Sequence, residues 1–232
     1  MALIEGISLS KRYDTNGSAV QALRQAEFRV EENEFIALMG PSGSGKSTLL
    51  TILGAMNPPS TGKLLIDSID VYDLSVEKRA DFRHEYLGFV FQQVQLIPYL
   101  SAVENVMLPL AITRRSHREQ MEMAQSALER VGLADKARRL PNQLSGGEQG
   151  RVAIARAIVN NPPIILADEP TGSLDSRTGQ EVMSLFHSLN EDGLTIIIVT
   201  HNPENANFVG RVVQIRDGYV VEEAPAVTAT AR

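Results

Sequence analysis

The sequence predicts an α/β fold. Its core is a parallel sheet covered on both faces, with a β-rich N-terminal segment and a helical insertion. Three observations predict it. The fully apolar run 164–167 and the largely apolar run 194–199 read as strands buried on both sides, as in a parallel sheet. A third apolar run, 35–39, leads through a glycine-rich loop into a fourth, 49–53, in the order strand, loop, helix. Residues 93–140, between the strand-rich halves, carry helical periodicity: Met121, Ala124, Leu128 and Val131 share one face.

The glycine-rich loop is Gly40-Pro41-Ser42-Gly43-Ser44-Gly45-Lys46-Ser47-Thr48. Its spacing is that of a phosphate-binding P-loop. The glycines admit positive φ and let the backbone approach an anion. Successive amides then point inward at a helix N-terminus. Lys46 adds a cation for the β- and γ-phosphates, and the Ser47 hydroxyl can ligate Mg²⁺. This stretch implies binding of a nucleoside triphosphate but says nothing of the use of its energy.

The other elements follow in chain order. Residues 3–39 alternate as strands around Asp14-Thr15-Asn16-Gly17, a hairpin turn signal. Tyr13 precedes that turn. Its spacing favours packing on its own sheet over stacking on a purine. A break at 57–62 leads to a short strand over 63–67, a mixed segment over 70–83 and an apolar strand over 87–91. Gln92 stands at that strand's tip, placed either to reach a ligand or to serve as a loop residue. Arg114, Arg115, Arg138 and Arg139 read as solvated faces of the insertion.

Ser145 and Glu148 have capping-box spacing, and Val152, Ala155, Ile158 and Val159 beyond them have core spacing. With Gly146 and Gly147, the same helix start could also receive an anion. Asp168-Glu169 end the strand over 164–167. Adjacent acids there are expensive unless solvated or met by a cation. That suits an aspartate holding Mg²⁺ through water and a glutamate activating water. A helix over 176–191 follows the tight connection through Asp175, and the next buried strand ends at His201. The P-loop, Gln92, Asp168 and His201 thus share the C-terminal edge of the sheet, where open parallel sheets bind ligands. His84, His117 and His187 read as surface residues. Residues 212–216 and 219–222 form a closing hairpin around Asp217-Gly218. Residues 1–224 read as one domain and 225–232 as a frayed tail.

Composition sets limits. The chain has 232 residues, enough for one good core, with 43% hydrophobic and 22% charged residues. A formal charge of -6 argues against nucleic acid as a general partner. Cysteine is absent, which excludes disulfides and thiol chemistry. The N-terminus lacks a signal-peptide pattern, and no run approaches the roughly 20 apolar residues of a membrane span.

These motifs in this order resemble the ATP-binding subunit of ABC transporters along nearly the whole chain. The run 40–48 resembles Walker A and Gln92 the Q-loop glutamine. Leu144-Ser145-Gly146-Gly147-Glu148-Gln149 is similar to the LSGGQ signature, with Glu148 in fifth place. Residues 164–169 resemble Walker B with its catalytic glutamate, Ser173-Leu174-Asp175 the D-loop and His201 the switch histidine. Tyr13 aligns with the aromatic A-loop residue, which reverses the preference drawn from spacing. Gly88-Phe89-Val90-Phe91-Gln92, Leu96-Ile97-Pro98 and Arg151-Val152-Ala153-Ile154-Ala155-Arg156-Ala157 are most similar to the lipoprotein-release and macrolide-exporter type (LolD/MacB-like).

The resemblance implies a RecA-like P-loop core with an antiparallel β subdomain and an inserted helical subdomain over about 93–140. It implies an ATPase that works as a head-to-tail dimer with ATP and Mg²⁺. Tyr13 and the run 40–48 would bind ATP, with Ser145, Gly146, Gly147, Glu148 and Asp175 closing the site. Ser47, Gln92 and Asp168 would serve the metal. Glu169, His201 and Gln92 would serve catalysis. A separate membrane permease of the LolCE/MacB type would be the partner, placing the chain at the cytoplasmic side of the inner membrane. The alternatives are a soluble ABC ATPase, usually a two-cassette or coiled-coil chain, and a regulator with a degenerate site. The family's usual glutamine is replaced by Gly150, which puts the stiffness of that helix in question.

Overall fold

The computed structural model describes residues 2–15 and 18–225. Strands β1 (Ala2–Thr15), β2 (Ser18–Glu31), β4 (Thr61–Ile66) and β5 (Ile69–Asp70) form an antiparallel sheet in the order β2-β1-β4-β5. Thr15 pairs with Ser18, while the expected Asn16-Gly17 turn lies outside the described residues. Pro225, the first residue of the expected tail over 225–232, instead pairs with Arg211, and the rest of that tail lies outside the described residues.

The second sheet runs β10-β9-β3-β8-β7-β6. Its strands are β3 (Phe35–Met39), β6 (Leu87–Val90), β7 (Ile164–Asp168), β8 (Thr195–Val199), β9 (Arg211–Arg216) and β10 (Tyr219–Pro225). All neighbours are parallel except β10 on β9. The closing hairpin therefore belongs to the core: β9 pairs with β3, Ile36 opposite Arg211. No local pattern announces that pairing.

The strand period of two divides the interior. Phe35, Ala37 and Met39 face one cluster, with Ile165, Ala167, Ile196 and Ile198. Ile36 and Leu38 face the other, with Ile164, Leu166, Ile197 and Val199. The first cluster is closed by α3 (Ala102–Met107), α4 (His117–Arg130), α5 (Gly146–Ile158) and α6 (Ser176–Glu191). The second is closed by α1 (Lys46–Leu53) and the antiparallel sheet, with Phe82 of α2 (Val76–Tyr86) at its side. Continuous apolar strands are thus buried on both faces, as the sequence predicts.

In the insertion, Ala124, Leu128 and Val131 are buried as their spacing predicts, and the four arginines are exposed. His84 departs from its surface assignment. It is half-buried, with Nε2 3.0 Å from the Pro109 carbonyl and 2.9 Å from Asn160 Nδ2. Gly150 lies inside α5, and a Cβ built on it meets nothing within 4 Å. Gly150→Ala is therefore expected to stabilise the protein by about 0.5–1 kcal/mol by restricting the unfolded chain. Denaturant midpoints test this, and a lowered midpoint would show that α5 needs the glycine.

Candidate functional site

Helices α2, α4, α5 and α6 each begin with a side-chain cap, from Ser75, Ser116, Ser145 and Asp175. Helix α1 has none: its cap is Gly45 at φ 106°, and no side chain bonds its first amides. Orphan donors at a helix start suit an anion. The loop reaches this shape only without side chains. A Cβ on Gly45 would lie 2.3 Å from the Ala22 carbonyl oxygen, and one on Gly40 2.0 Å from that of Ile215.

A cavity of about 550 Å³ opens over this helix end. Every residue of the run 40–48 except Ser44 lines it, together with Ala22, Gln92, Glu169 and His201. Ser44 is buried beneath the loop, its carbonyl accepting from Gly218 N at 3.0 Å. Lys46 is buried, and its Nζ donates to the Gly40 and Pro41 carbonyls at 2.9 and 2.8 Å. It stiffens the loop from within while holding a cation below it.

Asp168, at the end of β7, receives the Ser47 hydroxyl at 3.5 Å. Burial and then the neighbouring Glu169 charge push the Asp168 pKa upward, and Ser47 and Lys46 pull it down less strongly. The ionised form therefore costs free energy that a cation at this point would offset. Among the described residues, no group of three or more His, Cys, Asp and Glu could hold a metal alone. Ser47 and Asp168 form a one-sided oxygen set that suits Mg²⁺ carried in on phosphates.

Glu169 sits in the left-handed region, at φ 47°. Such strain in a non-glycine residue persists where the surroundings over-determine it. Glu169 N donates to the Val199 carbonyl at 2.9 Å, and its Oε2 lies 2.5 Å from His201 Nδ1. The imidazole is 69% exposed, so it can swing away from the carboxylate.

The other predicted residues lie apart. Ser145, Gly146, Gly147, Glu148, Asp175 and Tyr13 do not line the cavity. The Ser145–Glu148 capping box forms, Ser145 N donating to Glu148 Oε2 at 2.8 Å. Gly147 has a packing reason: a Cβ there would lie 2.2 Å from Thr178 Cγ2. Asp175 accepts from Thr178 N at 3.0 Å and from its hydroxyl at 2.6 Å, capping α6. Those bonds hold the Asp175 carboxyl below its usual range. Tyr13 is half-exposed, its hydroxyl accepting from Asn57 Nδ2 at 2.6 Å and its ring centroid 5.2 Å from Lys11 Nζ.

Sequence reasoning missed two supporting residues. Arg156 of α5 donates to the Val94 and Gln95 carbonyls, both at 3.0 Å, and so holds the loop after Gln92. Asn205, 4% exposed, donates to the Thr200 and Thr171 hydroxyls, joining the loops that carry His201 and Glu169. Arg156 has no local signal because its partners lie 61 and 62 residues away, and the contact of Asn205 with Thr171 spans 34 residues.

Comparison with known proteins agrees with this geometry. Residues 23–172 match the family described as ABC transporter. The chain is 44% identical over 219 residues to the uncharacterized ABC transporter ATP-binding protein YknY of Bacillus subtilis, covering 94% of this chain and 95% of that one. It is 47% identical over 230 residues to the macrolide export ATP-binding/permease protein MacB of Syntrophobacter fumaroxidans, covering 98% of this chain but 32% of MacB. Its fold superposes with TM-score 0.87 and 44% identity on a dimeric post-hydrolysis structure of the Methanocaldococcus jannaschii cassette MJ0796 bound to ADP and Pi. That match covers 96% of this chain and 98% of the cassette. With an intact phosphate loop, paired acids and histidine on one sheet edge, the chain belongs to the ABC transporter family, as an ATP-binding subunit that hydrolyses ATP.

Proposed function

We propose that two copies of this chain sandwich two ATP molecules head to tail and thereby drive a separate membrane permease. One observation carries this reading. The cavity gathers the loop, Gln92, Glu169 and His201, yet the signature at 145–147 lies outside its wall. The cavity is then half of a site, and a second copy supplies the signature. The dimeric form of the related MJ0796 cassette supports this.

In the joined site, Lys46 and the loop amides hold the phosphates and Tyr13 stacks on the adenine. Ser47, Gln92 and Asp168 would hold Mg²⁺, which neutralises charge on the phosphates. Glu169 must leave His201 to take a proton from the attacking water, and the freed His201 then reaches the γ-phosphate. Ser145, Gly146 and Gly147 of the opposite copy close the site. Glu148 contributes through the cap, and Asp175 fixes the start of α6 beside it.

The permease has a surface to meet. A groove of about 340 Å³ lies between the core and the insertion, lined by Phe89, Phe91, Gln95, Pro109 and Arg156. Tyr99 and Ile112 are 77% and 76% exposed. No helix among the described residues is long and apolar enough to cross a membrane, so on this reading the spanning segments belong to the partner. The family match favours this over a non-transport ATPase, and the intact Lys46, Asp168, Glu169 and His201 disfavour a silent regulator. The MacB relative favours a permease of the macrolide-exporter or lipoprotein-release type, with the chain at the cytoplasmic face of the inner membrane.

Affinity purification from detergent-solubilised membranes tests the partnership. A polytopic membrane protein is expected in stoichiometric amount, lost when Phe91 and Ile112 are changed to aspartate. Recovery of the chain alone from membranes that contain it would overturn the reading.

A further inference from the structure

The first turn of α5 poses an electrostatic problem. A helix start attracts phosphate through roughly half a unit of positive charge. Here that turn carries Glu148, a full negative charge three residues from Ser145. Glu148 Oε2 accepts from Ser145 N at 2.8 Å, and the Ser145 hydroxyl accepts from Glu148 N at 3.3 Å. A neutral glutamine could make the same cap. With the carboxylate uncompensated, the helix end would be net negative and would repel an approaching triphosphate.

The compensating cation comes from the insertion. Lys136 ends a short 3₁₀ turn (Ala134–Lys136) before α5, and its Nζ donates to Glu148 Oε1. The turn is anchored: Lys136 N donates to the Leu133 carbonyl at 3.0 Å, and Leu133 is 1% exposed. The Glu148 side chain is 15% exposed and that of Lys136 36%, so solvent screens the pair in part. The Lys136 bond holds the Glu148 carboxyl below its usual range. With Lys136 present the helix end returns to net positive.

We propose that Lys136 is a positioning residue for ATP-driven pairing: it neutralises Glu148 so that the 145–147 segment can close on the triphosphate held by a second copy. The proposal rests on the two-copy site described above. Lys136 touches no reacting atom and acts through Glu148.

The test uses the full chain carrying Glu169→Gln, with ATP as the probe and size exclusion as the readout. Adding Lys136→Met is expected to raise the ATP concentration for half-maximal dimer about tenfold, the scale of one opposed charge at a helix end. Lys136→Arg should restore the parent value. With Glu148→Gln also present, Lys136→Met should shift that concentration less than twofold, because no charge remains to neutralise. ATP binding to the monomer, followed by titration, should stay within twofold throughout.

In the chain with Glu169 intact, the same substitution should raise the KM for ATP and leave kcat within threefold. A Lys136→Met shift that persists undiminished with Glu148→Gln would assign Lys136 a merely structural role and overturn the proposal. So would no shift at all in a parent that dimerises. A parent that stays monomeric at saturating ATP would overturn the two-copy reading, and this proposal with it. A melting curve for each variant separates loss of fold from loss of pairing.

Discussion

Glu169→Gln is expected to lower phosphate release at least about 100-fold, the scale of a lost general base, while ATP binding persists and dimer accumulates. The carboxylate lines the cavity at the end of a core strand and is held by His201 at 2.5 Å. Glutamine keeps the shape and can still hydrogen-bond, but it cannot take a proton from water. It also removes a negative charge beside Asp168, whose ionised form burial already disfavours. Both changes favour a state that holds ATP and does not consume it. A phosphate-release assay and size exclusion with ATP check the two halves. Undiminished hydrolysis would remove Glu169 from its role. Loss of hydrolysis without dimer would keep the role and reject the two-copy site.

Lys46→Ala is expected to weaken ATP binding about 10- to 100-fold, the worth of charge-assisted bonds to phosphate. The loss has two sources. The cation under the loop disappears, and so do the bonds from Nζ to the Gly40 and Pro41 carbonyls at 2.9 and 2.8 Å. Lys46→Met loses the charge and both bonds but keeps the buried apolar stem, so it separates these losses from a loss of packing. Calorimetric titration decides the matter. An affinity indistinguishable from that of the unsubstituted chain would refute the role, provided melting shows both variants folded.

Much of this molecule is legible in order along the chain, because its signals are local. Helix α6 spans Ser176–Glu191, the range read from the sequence. Strands β7 and β8 lie where apolar runs are too short for helices. The capping box at Ser145 forms because its two partners are three residues apart on one turn. Pairings between distant segments are not legible in this way. The half-burial of His84 depends on Pro109 and Asn160, and the hold on the Gln92 loop depends on Arg156, more than 60 residues along the chain. Such pairings are decided by which surfaces meet after the strands assemble.

The phosphate loop, the acids and histidine at their strand tips, and the family they imply are all legible along the chain. Each is a contiguous pattern whose backbone demands are met within a few residues. The folded chain alone reveals that Glu169 and His201 touch and that Gly147 is needed for packing on Thr178. It also reveals that Lys136 pairs with Glu148, and that the 145–147 segment stands outside the cavity. These are relations in space between residues that share no local turn, and the packing of the strands and helices sets the distances between them.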